Sequence, residues 1–64
     1  MNREMDPAEI EAMIVWIKFQ RSRGQNYARV ARALAERGVS PWYAQPALSE
    51  GGYTDQEADA AERD

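Results

Sequence analysis

The absence of both cysteine and histidine constrains this 64-residue chain more than any other feature of its sequence. A domain of this length buries only about 60% of the surface that its unfolded chain exposes, so its core contributes little net stability. Small domains commonly gain the missing stability from disulfides, a bound metal or a second chain. Without cysteine or histidine, disulfides, zinc fingers and haem ligation are excluded. We therefore expect no metal and no cofactor, and stabilisation by self-association or by a partner.

The first predicted helix has the clearest start signal in the chain. Asp6 is suited to the N-cap, Pro7 to the first helical position, and Glu9 completes a capping-box pattern. Gly24 is suited to end the helix, because glycine readily adopts the left-handed conformation that follows many helices. The pattern predicts one long helix over about residues 7–23.

This first helix has two opposed apolar faces when its residues are placed about 100° apart. One face contains Ile10, Met13, Ile14 and Ile17, and the other contains Ala8, Ala12, Val15 and Phe19 with Trp16 beside them. A helix at the surface of a small domain needs only one apolar stripe, so two stripes indicate packing on both sides. We therefore expect a homodimer formed through the second face, with these residues near the contact: Ala12, Val15, Trp16 and Phe19.

A second helix is predicted over about residues 27–37, after a short Gly24-Gln25 link. Asn26 is a favourable N-cap, and Gly38 is suited to the position that follows the helix. Its apolar stripe follows the i, i+3, i+4, i+7 spacing of an amphipathic helix and consists of Tyr27, Val30, Ala31 and Leu34. The short link predicts that the first two helices form an antiparallel hairpin.

The rest of the chain has weaker signals. Pro46 lacks a backbone donor and its ring clashes one turn back, so an irregular arm is expected over residues 39–53. Thr54 and Glu57 form a capping box that predicts a short acidic helix over about residues 55–63. The expected fold class is therefore all-α: a single domain over residues 1–64 with a two-helix hairpin, an irregular arm and a short C-terminal helical turn.

Residues 24–41 resemble the helix-turn-helix segments of recombinases and transposon-type regulators. In that family a helix of the form Y-x-x-V-A-x-x-L precedes a glycine turn and a recognition helix, and the matching residues are Tyr27, Val30, Ala31, Leu34, Gly38 and Val39. The resemblance implies binding to DNA. The segment in the place of the recognition helix contains no Arg or Lys and leaves Gln45 and Ser49 to contact bases, a poor set for the major groove. A DNA-binding regulator that uses the basic block 18–37 is therefore the alternative function.

Charge is distributed in blocks that favour an anionic partner for the middle of the chain. Residues 18–37 carry a net charge of +5, whereas residues 1–11 and 50–64 carry −3 and −5. The candidate partner-binding cations are Arg23, Arg29, Arg32 and Arg37. Arginine suits carboxylate and phosphate groups, so these side chains can bind protein, bind nucleic acid or form only a solvated face.

Two aromatic residues, Trp42 and Tyr43, complete the candidate partner-binding set. Aromatic side chains with few rotatable bonds are typical anchors of protein interfaces. The alternative is that both rings fold over the end of the hairpin and complete a thin core.

The sequence provides no recognisable catalytic residues. Nucleophilic catalysis without cysteine or histidine needs an activated Ser or Thr, and the single lysine, Lys18, lies on a helix side. The longest apolar run, residues 13–17, is far too short to span a membrane, and the acidic N-terminus differs from that of a signal peptide. These features predict a cytoplasmic protein that is not an enzyme and does not bind a membrane.

Small size, patchy charge and surplus apolar surface together predict a non-enzymatic regulator or inhibitor that docks onto a larger protein. In these properties the chain is similar to the small antagonists that bacteriophages make against host regulators and enzymes. A bacterial host protein is therefore one expected partner, and nucleic acid is the less favoured one.

Overall fold

Four helices make up the computed structural model, which describes residues 4–63 of the chain. They are α1 (Pro7–Ser22), α2 (Tyr27–Glu36), α3 (Pro41–Glu50) and α4 (Asp55–Glu62). No strand occurs among the described residues, which confirms the predicted all-α class. None of these helices is long and apolar enough to cross a membrane. The radius of gyration is 11.1 Å, close to the value of about 11 Å expected for a folded domain of this length.

Each helix begins at a polar N-cap whose side chain accepts a hydrogen bond from a backbone N–H of the first turn. The four caps are Asp6, Asn26, Ser40 and Thr54. Asp6 and Asn26 accept at 2.9 Å from the N–H groups of Glu9 and Arg29. The starts and ends of α1, α2 and α4 consequently lie within one residue of the predicted bounds.

Glycine residues in the left-handed conformation end the first three helices. Gly24, Gly38 and Gly52 have φ values of 85°, 84° and 110°. After α2, the N–H of Val39 donates to the Leu34 carbonyl at 3.0 Å, the bond that defines a Schellman ending.

The prediction of an irregular arm over residues 39–53 is wrong, because Pro41–Glu50 form the helix α3. Pro46 lies inside that helix, and because proline has no backbone N–H it removes one backbone hydrogen bond, as predicted. The helix persists because its inner face buries Ala44, Ala47 and Leu48 against the rest of the core. Tertiary packing of this kind commonly outweighs the cost of one unfavourable residue.

The third helix also organises the core. α3 packs against both α1 and α2, and α4 packs against α2. The core consists of Met13, Ile17, Val30, Leu34, Ala44, Ala47, Leu48 and Tyr53. A direct α1–α2 hairpin stays a prediction, since the main contacts of α1 run to α3.

Tyr53 fixes the position of α4. Its side chain is 4% exposed, and its hydroxyl donates to the Gln25 carbonyl in the link between α1 and α2. The Arg21 guanidinium lies 5.0 Å from the centre of the Tyr53 ring and forms an ion pair with Glu57 at 3.2 Å. Side chains from α1, from the segment after α3 and from α4 thus meet at one point.

Acidification is expected to loosen α4 through Glu57. The pKa of Glu57 is lowered from 4.5 because the Thr54 backbone N–H donates to its carboxylate, and the nearby Arg21 lowers it further. A carboxyl group whose pKa is lower in the folded state than in the unfolded state stabilises the fold at pH values above its unfolded-state pKa. That stabilisation is lost as the pH falls through the folded-state pKa. NMR of the α4 amides should show the loss beginning as the pH drops below 4.5.

Glu57→Gln removes this titration while keeping an acceptor for the Thr54 N–H. Its α4 amides should lack the acid transition, whereas Glu62→Gln should retain it. An unchanged acid transition in Glu57→Gln would contradict the assignment.

Candidate functional site

The four candidate arginines do not form a single face. Arg29 and Arg32 line one shallow groove on α2, with a volume of about 520 Å³, together with Glu36. Both side chains are exposed, and neither forms an ion pair with another described residue. This groove, which we call the Arg29–Arg32 groove, is a part of the basic block that is open to an anionic partner.

The other two arginines lie over aromatic rings of α1. The guanidinium of Arg37 is 4.7 Å from the centre of the Trp16 ring, and that of Arg23 is 5.6 Å from the centre of the Phe19 ring. Such distances permit cation–π attraction. Arg23 and Arg37 therefore cover part of the apolar surface of α1 and are separate from the Arg29–Arg32 groove.

Trp16 is half-buried and lies between two grooves. On one side is a groove of about 310 Å³ lined by Met5, Glu9, Ala12, Met13, Leu34, Arg37 and Val39. On the other side is a groove of about 170 Å³ lined by Gln20, Gln25, Arg29, Val30 and Ala33. The ring is thus partly covered by its own chain, which the sequence pattern alone did not indicate.

The second apolar face of α1 is exposed. Val15 and Phe19 are 63% and 56% exposed, and Ala8 and Ala12 are exposed beside them. On the opposite side of the helix, Met13 and Ile17 are buried in the core. We call this exposed face the α1 outer face: Ala8, Ala12, Val15 and Phe19. Its Phe19 ring remains largely exposed although the Arg23 guanidinium lies over it.

The two predicted aromatic anchors lie in different environments. Trp42 is 81% exposed on the first turn of α3, and Tyr43 is half-buried against the core. Neighbouring residues of a helix point about 100° apart, so one ring is outside and the other is inside. Trp42 is therefore not a core residue. Its exposed neighbours on the outer side of α3 are Gln45, Pro46 and Ser49.

The backbone beneath Trp42 is well fixed. The Ser40 hydroxyl accepts from the Trp42 N–H at 3.2 Å, and Pro41 occupies the first helical position. The next turn of the same helix buries Ala44 in the core. The large indole ring thus projects from a capped, packed helix rather than from a loop.

The two tyrosines of the α2–α4 contact have a structural role. Burial raises the pKa of both Tyr27 and Tyr53 above 10.0, so both phenols are neutral near pH 7. The two rings meet edge to face with their centres 5.8 Å apart. Their contacts hold α4 against α2.

The contact of Arg21 with Tyr53 and Glu57 and the contact of Arg37 with Trp16 were not predicted from the sequence. Both join residues more than 20 positions apart in the chain. The only signal available was the position of each arginine in the last turn or at the end of its helix, where cations complement the helix dipole.

Comparison with family models, with curated proteins and with solved structures returned no match.

Proposed function

We propose that this chain is a small non-enzymatic regulator that binds a larger protein, with the Trp42 ring as its main anchor. The supporting observation is the 81% exposure of Trp42 on a capped helix. A tryptophan offers a large contact area at a low cost in conformational entropy, and such residues dominate the affinity of many protein interfaces. The target surface contains an apolar pocket that accepts the indole.

The exposed arginines of the Arg29–Arg32 groove indicate that the same target has acidic residues around its apolar pocket. Exposed ion pairs contribute only about 1 kcal/mol or less, whereas a buried aromatic anchor contributes about 2 kcal/mol or more. The arginines should therefore influence mainly the association rate, and Trp42 the dissociation rate. An inhibitory or regulatory effect follows if the pocket belongs to a functional surface of the target.

A DNA-binding regulator is the second candidate, because α2, the Gly38 turn and α3 follow one another as a helix-turn-helix segment does. The exposed residues on the outer side of α3 are Trp42, Gln45, Pro46 and Ser49, none of them cationic. Direct base contacts in the major groove depend heavily on arginine and lysine. Protein binding is therefore the better supported of the two functions.

Self-association through α1 is also part of the proposal. The α1 outer face leaves Val15 and Phe19 63% and 56% exposed, even with the Arg23 guanidinium over the Phe19 ring. A second copy that buries this face yields a homodimer, while Trp42 on α3 stays available for the larger protein.

Substituting Trp42 with alanine is expected to weaken target binding by roughly 30-fold or more, the equivalent of about 2 kcal/mol. The experiment captures proteins from the native host on the immobilised chain and identifies them by quantitative mass spectrometry. A specific target should be retained by the wild type and by Phe19→Ala, which removes an exposed ring from another helix. Trp42→Ala should lose it.

The helical circular dichroism of Trp42→Ala should match that of the wild type, because the ring is largely outside the core. Surface plasmon resonance should assign its defect to faster dissociation. Arg29→Ala combined with Arg32→Ala should slow association and reduce its salt dependence. A captured target that binds Trp42→Ala at wild-type strength would refute the anchor. Binding that instead requires duplex DNA would favour the second candidate.

A further inference from the structure

We propose that two copies associate through antiparallel packing of their α1 outer faces, in a register that places Glu11 of each copy beside Lys18 of the other. This inference rests on the homodimer proposed above and adds its orientation, its register and the pair that determines both. It is independent of target binding by Trp42, which lies on a different helix.

The spacing of the α1 outer face is that of a helix–helix seam. Its residues are separated by four, three and four positions: Ala8, Ala12, Val15 and Phe19. Apolar residues that alternate at spacings of three and four positions stay on the side of a helix that faces a second helix. α1 has 16 residues, or about 24 Å at 1.5 Å per residue. That length is enough for four layers of contact.

The sizes of these side chains favour the antiparallel orientation. The small residues Ala8 and Ala12 occupy the N-terminal half of the seam, and the larger Val15 and Phe19 occupy the C-terminal half. Antiparallel packing places Ala12 opposite Val15 and Ala8 opposite Phe19 of the second copy, so each large side chain meets a small one. A parallel pair would bring the two Phe19 rings together and leave a gap between the alanines. In well-packed interfaces large side chains lie opposite small ones, as they do in the antiparallel arrangement.

The charges beside the seam favour the same orientation. Glu11 and Lys18 immediately precede Ala12 and Phe19, so both lie along one edge of the α1 outer face. In an antiparallel pair with two-fold symmetry, equivalent edges of the two helices meet. Glu11 of each copy then faces Lys18 of the other, and the pair forms twice. In a parallel pair, the edge that carries Glu11 and Lys18 meets the other edge of the second helix. The Glu11–Lys18 ion pair then does not form.

Both charged groups are available for such contacts. Glu11 and Lys18 are exposed, and neither forms an ion pair with another described residue. Exposed ion pairs add little affinity, but opposite charges select orientation and like charges penalise the alternative. The apolar seam thus supplies the affinity, and the two reciprocal pairs select the antiparallel register.

Charge reversal tests the register in the 64-residue chain. Glu11→Lys and Lys18→Glu should each weaken self-association about tenfold, because each places like charges together twice. An equimolar mixture of the two variants should form heterodimers at wild-type strength, since every reciprocal pair is then attractive. Sedimentation equilibrium measures the self-association of each variant and the association in their mixture. Failure of the mixture to recover would overturn the proposed register, and a folded wild type that stays monomeric at millimolar concentration would overturn the dimer itself.

Spin labels test the orientation independently, and the absence of native cysteine makes labelling specific. In Ser22→Cys the labelled positions lie at opposite ends of an antiparallel pair, about 25 Å apart along the helix axis. In a parallel pair they are separated only by the distance between helix axes, about 10 Å. A double electron–electron resonance distance in the longer range supports the proposal, and one in the shorter range refutes it. Circular dichroism of each variant confirms the fold, and target capture through Trp42 is scored separately.

Discussion

Replacing Ile17 with alanine is expected to unfold most of the protein at room temperature. Ile17 is completely buried in α1 and lies where α1 meets α3. Removing the side chain of a buried isoleucine costs about 2–5 kcal/mol, through lost burial and the cavity left behind. A core of this size rarely supplies more than about 3–5 kcal/mol of net stability. The substitution is therefore comparable to the whole free energy of unfolding.

Urea unfolding followed by circular dichroism measures this effect, with Val15→Ala as the matched control. Val15 also lies in α1 and carries a branched apolar side chain, but it is 63% exposed. Its replacement should leave the free energy of unfolding of the monomer within about 0.5 kcal/mol, as is usual at exposed sites. Measurement at two protein concentrations separates folding from self-association. Equal stability of the two variants would show that α1 does not use its Ile17 face as the core face.

The helices that follow local rules were predictable from the sequence. Asp6, Asn26 and Thr54 are caps whose hydrogen bonds involve residues three positions away, and Gly24 and Gly38 end their helices through local backbone conformation. Interactions of this range are encoded within a few consecutive residues. The predicted bounds of α1, α2 and α4 were accurate for that reason.

The third helix depends on the rest of the fold. Pro46 is a valid local signal against a helix, and it does remove one backbone hydrogen bond. What outweighs it is the burial of Ala44, Ala47 and Leu48, which exists only once α1 and α2 are in place. A rule based on neighbouring residues cannot include that contribution, so the sequence pattern predicted an irregular arm where α3 forms.

The candidate site was predictable in its residue types but not in its grouping. Treating residues 39–53 as irregular left Trp42 and Tyr43 together, whereas the helical twist of α3 separates an exposed ring from a half-buried one. The arginines likewise divide, because Arg37 lies over Trp16 and only Arg29 and Arg32 share an open groove. Grouping of this kind requires tertiary positions. The two faces of α1, by contrast, follow from helical geometry alone.

Replacing Gly51 with alanine is expected to destabilise the protein by about 1–3 kcal/mol, the usual cost of overpacking a core. Gly51 is buried at the end of α3, and an added Cβ would collide with the Cγ2 atom of Ile17 and lie 3.0 Å from its Cβ. The backbone conformation is not the obstacle, since the φ of Gly51 is −73°. Alanine can adopt this conformation, and it lowers the conformational entropy of the unfolded chain relative to glycine. In the absence of a collision, the substitution would therefore stabilise the fold. A loss of stability at this position should therefore come mainly from the contact with Ile17, since the other close atom, the Ala47 carbonyl oxygen, lies farther away at 3.2 Å.

Gly24→Ala provides a contrasting control at another glycine. Nothing lies within 4 Å of a Cβ at that position, but its φ is +85°, so any loss there comes from backbone strain alone. Gly24→Ala should consequently show no energetic coupling to Ile17, even if its own free energy of unfolding falls as far as that of Gly51→Ala.

A double-mutant cycle with Ile17→Leu distinguishes the two mechanisms. Leucine has no Cγ2 atom, and exchange of isoleucine for leucine in a core usually costs less than about 1.5 kcal/mol. In the Ile17→Leu background, Gly51→Ala should therefore cost at least about 1 kcal/mol less than in the wild type, since residues in contact are energetically coupled. Urea unfolding of the four proteins gives the coupling energy. Additive effects would mean that the end of α3 can move away from α1 at little cost, and the close approach of Gly51 to Ile17 would then not determine how these two helices pack.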